Sequence, residues 1–276
     1  MGEKTNVEWC SHTWNPWRGC QEVSPGCANC YAREFANRNP SVLGEWGEGT
    51  YRAVASDRYF AEPITWNRKA GEDGVRRRVL CGSMMDIFED RPDLVRARYR
   101  AMRVINRCRN LDWLLLTKRP QNIRKLWWEA AWEGRYEGLR GLVSAPHVWM
   151  GTTVEDQRRA AERIRYLLAA DVHTRFLSCE PLLEEVDLQP WLAGGGIHWV
   201  IAGGESRQGG RCRKCDIEWV ESIVEQCRRH GVPVFVKQMG SVLFADRQQL
   251  KLIDKKGGDI NEWPDHLRLR QFPERR

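Results

Sequence analysis

The clearest chemistry in the chain lies in three cysteines of "TWNPWRGCQEVSPGCANCYA", at positions 20, 27 and 30 with the spacing C-x6-C-x2-C. A closed structural zinc site takes four ligands, so Cys20, Cys27 and Cys30 fall one short. A catalytic zinc keeps an open position, usually with His or a carboxylate among its ligands, and His12 is near enough in sequence to serve. Three thiolates can also hold three irons of a cubane iron–sulfur cluster, leaving the fourth open to a ligand that is not protein. "RCRKC" adds a second C-x2-C, Cys212 and Cys215. With Cys27 and Cys30 it would make a four-thiolate site, and with Cys10 a second metal site. The simplest reading is a basic loop with two thiols. Cys108 and Cys227 sit in helix-like stretches and read as small buried residues.

These residues need a frame. Six short apolar runs end in polar clusters: "RVLCGSMMDIFE" (78–89), "WLLLTKRP" (113–120), "VWMGTTVE" (148–155), "RFLSCEPL" (175–182), "HWVIAGGES" (198–206) and "PVFVKQMG" (233–240). Between them, "RPDLVRARYRAMRVINRC", "PQNIRKLWWEAAW", "EDQRRAAERIRYLLAA" and "DIEWVESIVEQCRRH" place apolar residues at helical spacing. With a first strand at 13–19 this gives about seven βα units, hence a parallel sheet. We expect an α/β fold, a partial or full parallel β/α (TIM-like) barrel, over residues 1–240. An open doubly wound sheet is the structural alternative. A basic, aromatic-rich insertion falls at about 40–78, and loops of that length are functional or disordered. Residues 241–276 read as an extension packed on the barrel, with a Gly-rich hairpin or turn.

In a β/α barrel the C-terminal strand ends meet on one face, where chemistry sits. Those ends carry Ser83 and Asp86; Thr117, Lys118 and Arg119; Thr152, Thr153 and Glu155; Ser178, Cys179 and Glu180; Gly203, Gly204, Glu205 and Ser206; Lys237 and Gln238. The cysteine loop follows the first strand and so belongs to the same face.

Net charge is +7, and only nine of 44 basic residues are lysine. Arginine forks onto phosphate and stacks on bases. There are 14 tryptophans, some beside basic residues, as in "WNPWRGC" and "TWNRKA". Basic grooves with interleaved aromatics hold nucleic acid, single strands especially. Arg119, Arg211, Arg213, Lys214 and Lys237 are the candidate substrate contacts. No apolar run approaches the ~18 residues of a membrane span, and "MGEKTNVEWCSHTW" lacks a signal-peptide core. We expect a cytoplasmic protein, whose clustered cysteines then point to metal or redox chemistry.

"TWNPWRGCQEVSPGCANCYA", "LLLTKRP", "TTVEDQ", "LSCEPLL", "GGES" and "VKQMG", in that order, resemble the three-cysteine-motif proteins of phages and prophages. These look like an atypical radical S-adenosylmethionine (SAM) subgroup, distantly related to spore photoproduct lyase. The resemblance runs from about residue 5 to 273. The common superfamily spacing is C-x3-C-x2-C, with an aromatic before the last cysteine; here x6 and Asn29 replace them, and Tyr31 follows.

The resemblance implies a radical SAM barrel in which Cys20, Cys27 and Cys30 bind a [4Fe-4S] cluster. SAM on the open iron would yield a 5'-deoxyadenosyl radical, with electrons from a donor such as flavodoxin or ferredoxin. Ser83 or Asp86 would accept from the SAM amino group, and Lys118 or Arg119 would meet its carboxylate. Thr153, Glu155 or Glu180 would hold the ribose. Gly203 and Gly204 would let backbone approach the adenine or methionine moiety, with Glu205 beside them. Cys81 or Cys179 would donate a hydrogen atom. The implied activity is on nucleic acid, DNA before RNA, as lesion repair or base modification. The alternatives are a zinc-stabilised nucleic-acid-binding protein without catalysis, and a radical SAM enzyme for a small molecule or peptide.

Overall fold

The computed structural model describes residues 5–129, 139–142, 144–206 and 211–274. In chain order its first elements are β1 (His12–Trp14), β2 (Trp17–Arg18), α1 (Tyr31–Ala36), α2 (Pro40–Leu43), β3 (Ala53–Val54), α3 (Asp57–Asp73), β4 (Arg77–Cys81), α4 (Val95–Arg107), β5 (Leu111–Thr117) and β6 (Val148–Thr153). There follow α5 (Gln157–Ala169), β7 (Thr174–Cys179), α6 (Gln189–Leu192), β8 (Trp199–Gly203), β9 (Cys215–Asp216), α7 (Ile217–Arg229), β10 (Val234–Gln238), β11 (Leu243–Ala245) and β12 (Gln248–Leu250).

Seven strands form one sheet in the order β1-β4-β5-β6-β7-β8-β10. The pairs β1–β4, β4–β5, β7–β8 and β8–β10 are parallel. Each of the six apolar runs holds one strand, and sheet order follows chain order. This mixed α/β fold is compatible with a partial β/α barrel. No helix among the described residues is long and apolar enough to cross a membrane.

The chain divides into two compact units. One comprises Met1–Val23, Ala32–Gly151 and Ala169–Thr174; the other comprises Ser24–Tyr31, Thr152–Leu168 and Arg175–Arg276.

In the first unit, Trp14 packs edge-on against Trp113 and Phe60, with ring centroids 5.3 and 5.6 Å away. β1 is shorter than the expected 13–19. Pro16 has no N–H for a ladder. Asn15 turns its side chain into the next strand's loop, donating from Nδ2 to Ser83 Oγ (2.9 Å) and accepting from the Met84 N–H (2.8 Å). The chain resumes as β2, antiparallel to β3. "WNPWRG" is therefore a strand end, a turn and a separate small ladder.

The expected insertion at 40–78 is not loop throughout, because it contains the 17-residue α3. Ser56 caps that helix by accepting from the Tyr59 N–H (3.4 Å), which satisfies one orphan donor of the first turn. Phe60, Pro63, Trp66 and Ala70 form its buried face at helical spacing. Pro63 supplies no N–H to the Tyr59 carbonyl one turn back. Trp14 Nε1 donates to that carbonyl instead (3.4 Å). The proline is accommodated because the core provides a substitute donor.

At 120–132 the expected helix is a 3-10 turn (Pro120–Asn122) followed by a π-turn (Arg124–Glu129). Residues 130–132 lie outside the described residues.

His147 is buried where β6 begins. Its Nε2 meets the Ile105 carbonyl at 3.2 Å, and its own carbonyl accepts from the Trp113 N–H (2.7 Å). Burial holds the imidazole below its ordinary pKa, against the opposing Ile105 bond. The unfolded chain then binds the proton first as pH falls. Stability should drop as pH decreases from the unfolded value of about 6.5 through the lower folded one. Urea midpoints at pH 7.5 and 5.5 should show this loss, and His147→Gln should shrink it.

In the second unit, Trp199 anchors the core against Phe176, Phe235 and Phe272, at 5.7, 6.3 and 5.4 Å. α7 buries Ile217, Val220, Ile223, Val224 and Cys227. After residue 241, β11 and β12 pair antiparallel. Their turn uses Asp246 and Arg247, both at positive φ (48° and 65°), rather than the expected glycines. Two backbone hydrogen bonds then lay the tail along β10, from the Val236 N–H to Leu269 O (2.8 Å) and from the Gln271 N–H to Val234 O (3.1 Å).

Candidate functional site

The cysteines sort by exposure. Cys10, Cys81, Cys108, Cys179, Cys215 and Cys227 are buried, while Cys20, Cys27, Cys30 and Cys212 are half-buried. Burial pushes the Cys81 and Cys179 thiols above the usual range. Both are fully enclosed. As candidate hydrogen-atom donors they face packed core rather than open space.

Cys20 is held within the first unit by a backbone bridge. Its N–H donates to Glu45 O (3.2 Å), and the Gly47 N–H donates to Cys20 O (2.9 Å). Arg52 pins that bridging segment by donating to Glu45 O and Gly47 O, both at 3.0 Å. The same guanidinium forks onto Glu89 at 3.0 and 2.7 Å in a buried pair.

Arg119 approaches the sulfur itself, with its NH1 3.8 Å from Cys20 Sγ. It also donates to Asp86 Oδ2 (2.9 Å) and Gln21 O (2.8 Å). Burial pushes the Cys20 thiol up to about 12, against the opposing pull of Arg119. Arg119 thus faces the thiol as a countercharge. It is buried, where the sequence offered it as a contact to substrate or to the SAM carboxylate.

Asp86 is bonded on both oxygens. Besides Arg119 it accepts from the Phe88 N–H (2.9 Å), the Thr117 hydroxyl (2.7 Å) and the Lys118 N–H (3.0 Å). It orients Arg119 rather than standing open to an amino group. Ser83 is engaged by Asn15.

Within the second unit, Cys27 ends the 3-10 turn Pro25–Cys27, and the Cys30 N–H donates to Cys27 O (3.2 Å). Asn29, between the two cysteines' reach, donates from Nδ2 to Glu205 Oε2 (2.8 Å). Glu205 also accepts from the Arg213 N–H (2.8 Å), Nε (3.1 Å) and NH2. Arg213 NH1 completes the clasp on Pro25 O (2.7 Å). Burial pushes the Glu205 carboxyl up, but the Arg213 and Asn29 hydrogen bonds outweigh it and hold the pKa below its ordinary value. Glu205 and Arg213, assigned from sequence to cofactor and substrate, both grip the cysteine loop.

Gly26 lets that loop lie close to Glu155. A Cβ there would sit 3.1 Å from the carboxyl group. Glu155 is itself buried and paired with Arg163 (2.6 Å), which also donates to Thr153 O (2.9 Å).

The remaining candidates pair internally. Glu180 accepts from Lys237 (2.5 Å) and from Gln238 Nε2 (3.0 Å). Lys214 pairs with Asp216 (2.9 Å) and lies over the Trp219 and Phe244 rings. Arg211 is exposed. A Cβ at Gly203 would meet Gln238 O, and one at Gly204 would meet Met239 O and the Cys215 side chain. At both glycines the chain packs closely on itself. The Cys212 thiol donates to Glu205 O (3.1 Å), whereas the Cys215 thiol meets Asp216 O (3.7 Å).

Among the described residues no three His, Cys, Asp or Glu side chains group as around one metal ion. That gives no support to a four-thiolate site or a second metal site. Trp14, Trp17 and Trp66, offered by sequence as stacking platforms, are core residues. Sequence reasoning missed Arg52 and the role of Asn29. The one signal for Asn29 was its departure from the expected aromatic.

A family model described as "Protein of unknown function (DUF5131)" matches residues 4–263. No curated protein matches the chain, and no solved structure does.

Proposed function

The chain belongs to this family, and from that premise we propose that it is a radical SAM enzyme holding a [4Fe-4S] cluster through Cys20, Cys27 and Cys30 and acting on nucleic acid, DNA before RNA. The observation that carries the reading is the sorting of the thiols. The loop cysteines are half-open, as is Cys212, and the six others are sealed in the core. The donor set fits the cluster. Three thiols come from one loop, which is the donor type a cubane takes. A guanidinium beside Cys20 Sγ supplies positive charge where a thiolate would sit. Cubane ligation by cysteine thiolates is tuned by such neighbours.

When bound, the cluster would supply one-electron cleavage of SAM, fed by a donor such as flavodoxin or ferredoxin. This chain's residues would do the rest. Arg52 and Glu89 fix the segment that holds Cys20, and Asp86 aims Arg119 at the sulfur. Asn29, Glu205 and Arg213 set the turn carrying Cys27 and Cys30. Ser83 and Lys118 remain the proposed SAM contacts. Lesion repair or base modification is the proposed outcome on the substrate.

The test is anaerobic purification with iron, sulfide and zinc analysis, followed by dithionite and SAM. About four irons per chain and release of 5'-deoxyadenosine are expected. Zinc alone, with no SAM cleavage, would overturn the proposal.

A further inference from the structure

We propose that the outer face of α4 is a docking surface for the phosphate backbone of duplex DNA. The helix Val95–Arg107 carries five arginines and no acidic residue. Arg98 turns inward, where its Nε donates to Ile87 O (2.9 Å). The others stand at 96, 100, 103 and 107, the i, i+4, i+7, i+11 spacing of one helix face. Arg100 is anchored to α3 through Asp57 (2.5 Å) and lies 4.0 Å from the Phe60 ring centroid. Arg96, Arg103 and Arg107 are exposed and, among the described residues, enter no ion pair.

Some exposed arginines on other helices have a carboxylate one turn away, although Arg58, Arg158 and Arg165 enter no ion pair among the described residues. Arg68 pairs with Glu72, and Arg228 and Arg229 share Glu225. On α4 no carboxylate follows one turn away. Like charges three and four residues apart destabilise a helix, and a polyanion lying along the face removes that repulsion. The row from Arg96 to Arg107 covers ~16 Å of rigid helix.

The occupant follows from what the face lacks. Single-strand binders stack bases on free aromatic rings, and here the Tyr99 ring lies under Arg103 (5.8 Å). Duplex RNA is recognised partly through its 2'-hydroxyls, yet α4 contains no Ser or Thr and one Asn, Asn106. A straight row of cations whose one ring lies under an arginine suits the regular phosphates of a DNA duplex. This inference rests on the reading of nucleic acid as partner and is independent of the iron chemistry.

The test measures binding of the full chain, as purified, to a fluorescent 20-base-pair DNA duplex across salt concentrations. The triple variant Arg96→Gln, Arg103→Gln, Arg107→Gln should weaken binding at least ~tenfold. It should also lower the slope of log K against log salt by up to ~2.7, about 0.9 for each phosphate that is no longer neutralised. The same charge removed at Arg228, Arg229 and Lys251 should change neither. Because the α4 substitutions relieve repulsion on an exposed face, thermal melting should not fall. Equal weakening by both triples, or none by the α4 triple, would overturn the proposal. So would a larger effect on single-stranded DNA or duplex RNA than on the DNA duplex. Iron content and 5'-deoxyadenosine release in the α4 variant should stay unchanged, so failure of the docking face and failure of the iron chemistry remain separable.

Discussion

Cys30→Ala is expected to leave the protein folded and nearly free of iron. Three thiolates are the minimum set for the proposed cluster, so losing one leaves it short of a ligand. The neighbouring side chain of Asn29 is committed to Glu205. Iron and sulfide after anaerobic reconstitution should fall to about a tenth of the parent or less, with the visible absorption, and 5'-deoxyadenosine release should vanish. Cys30 is half-buried and outside regular structure, so the metal-free chain should lose under about 1 kcal/mol. Cys212→Ala has a thiol of similar exposure and should keep its iron. Cys81→Ala should keep iron too while losing about 1–2 kcal/mol to a small cavity. If Cys30→Ala loads iron like the parent, the donor set is wrong.

Arg213→Ala should loosen the cysteine turn from outside the metal-binding residues. The substitution removes the NH1 bond to Pro25 O and the fork on Glu205, leaving a buried carboxylate short of its main countercharge. Because Arg213 is partly open to solvent, breaking this pair should cost about 1–2 kcal/mol, read as a lower urea midpoint at unchanged slope. Iodoacetamide labelling of the metal-free chain, followed by mass spectrometry, should show Cys27 and Cys30 alkylated severalfold faster. Arg213→Lys keeps the charge but not the fork and should fall between. Unchanged labelling and unchanged stability in Arg213→Ala would remove the clasp from the account.

The sheet was legible because its strands are short apolar runs, such as "WLLLT", bounded by polar clusters. Their boundaries were less so. Nothing local says that β1 stops at Trp14, because the stop depends on Asn15 reaching Ser83 and Met84, nearly seventy residues away. The α3 helix was hidden by Pro63 and Gly71, which read as loop. Its stability there depends on a donor from Trp14, which periodicity does not reveal.

The cysteine motif stood out by spacing alone, whereas the residues that hold it did not. Asn29 and Glu205 are separated by 176 positions, and only the fold brings them together. Carboxylates at strand ends were correctly noticed as clustered polar groups. Their partners decide their roles, and Asp86, Glu155, Glu180 and Glu205 all proved to be bonded to arginine or lysine.

β10 is the last strand in the sheet order. An end strand offers a row of unused donors and acceptors on which another molecule can polymerise. Here Leu269–Gln271 occupies that row, and Trp199 Nε1 fastens it through Gln271 O (2.9 Å). The C-terminal segment therefore caps that row, and a chain trimmed before Leu269 would leave the donors and acceptors of β10 open to a second copy.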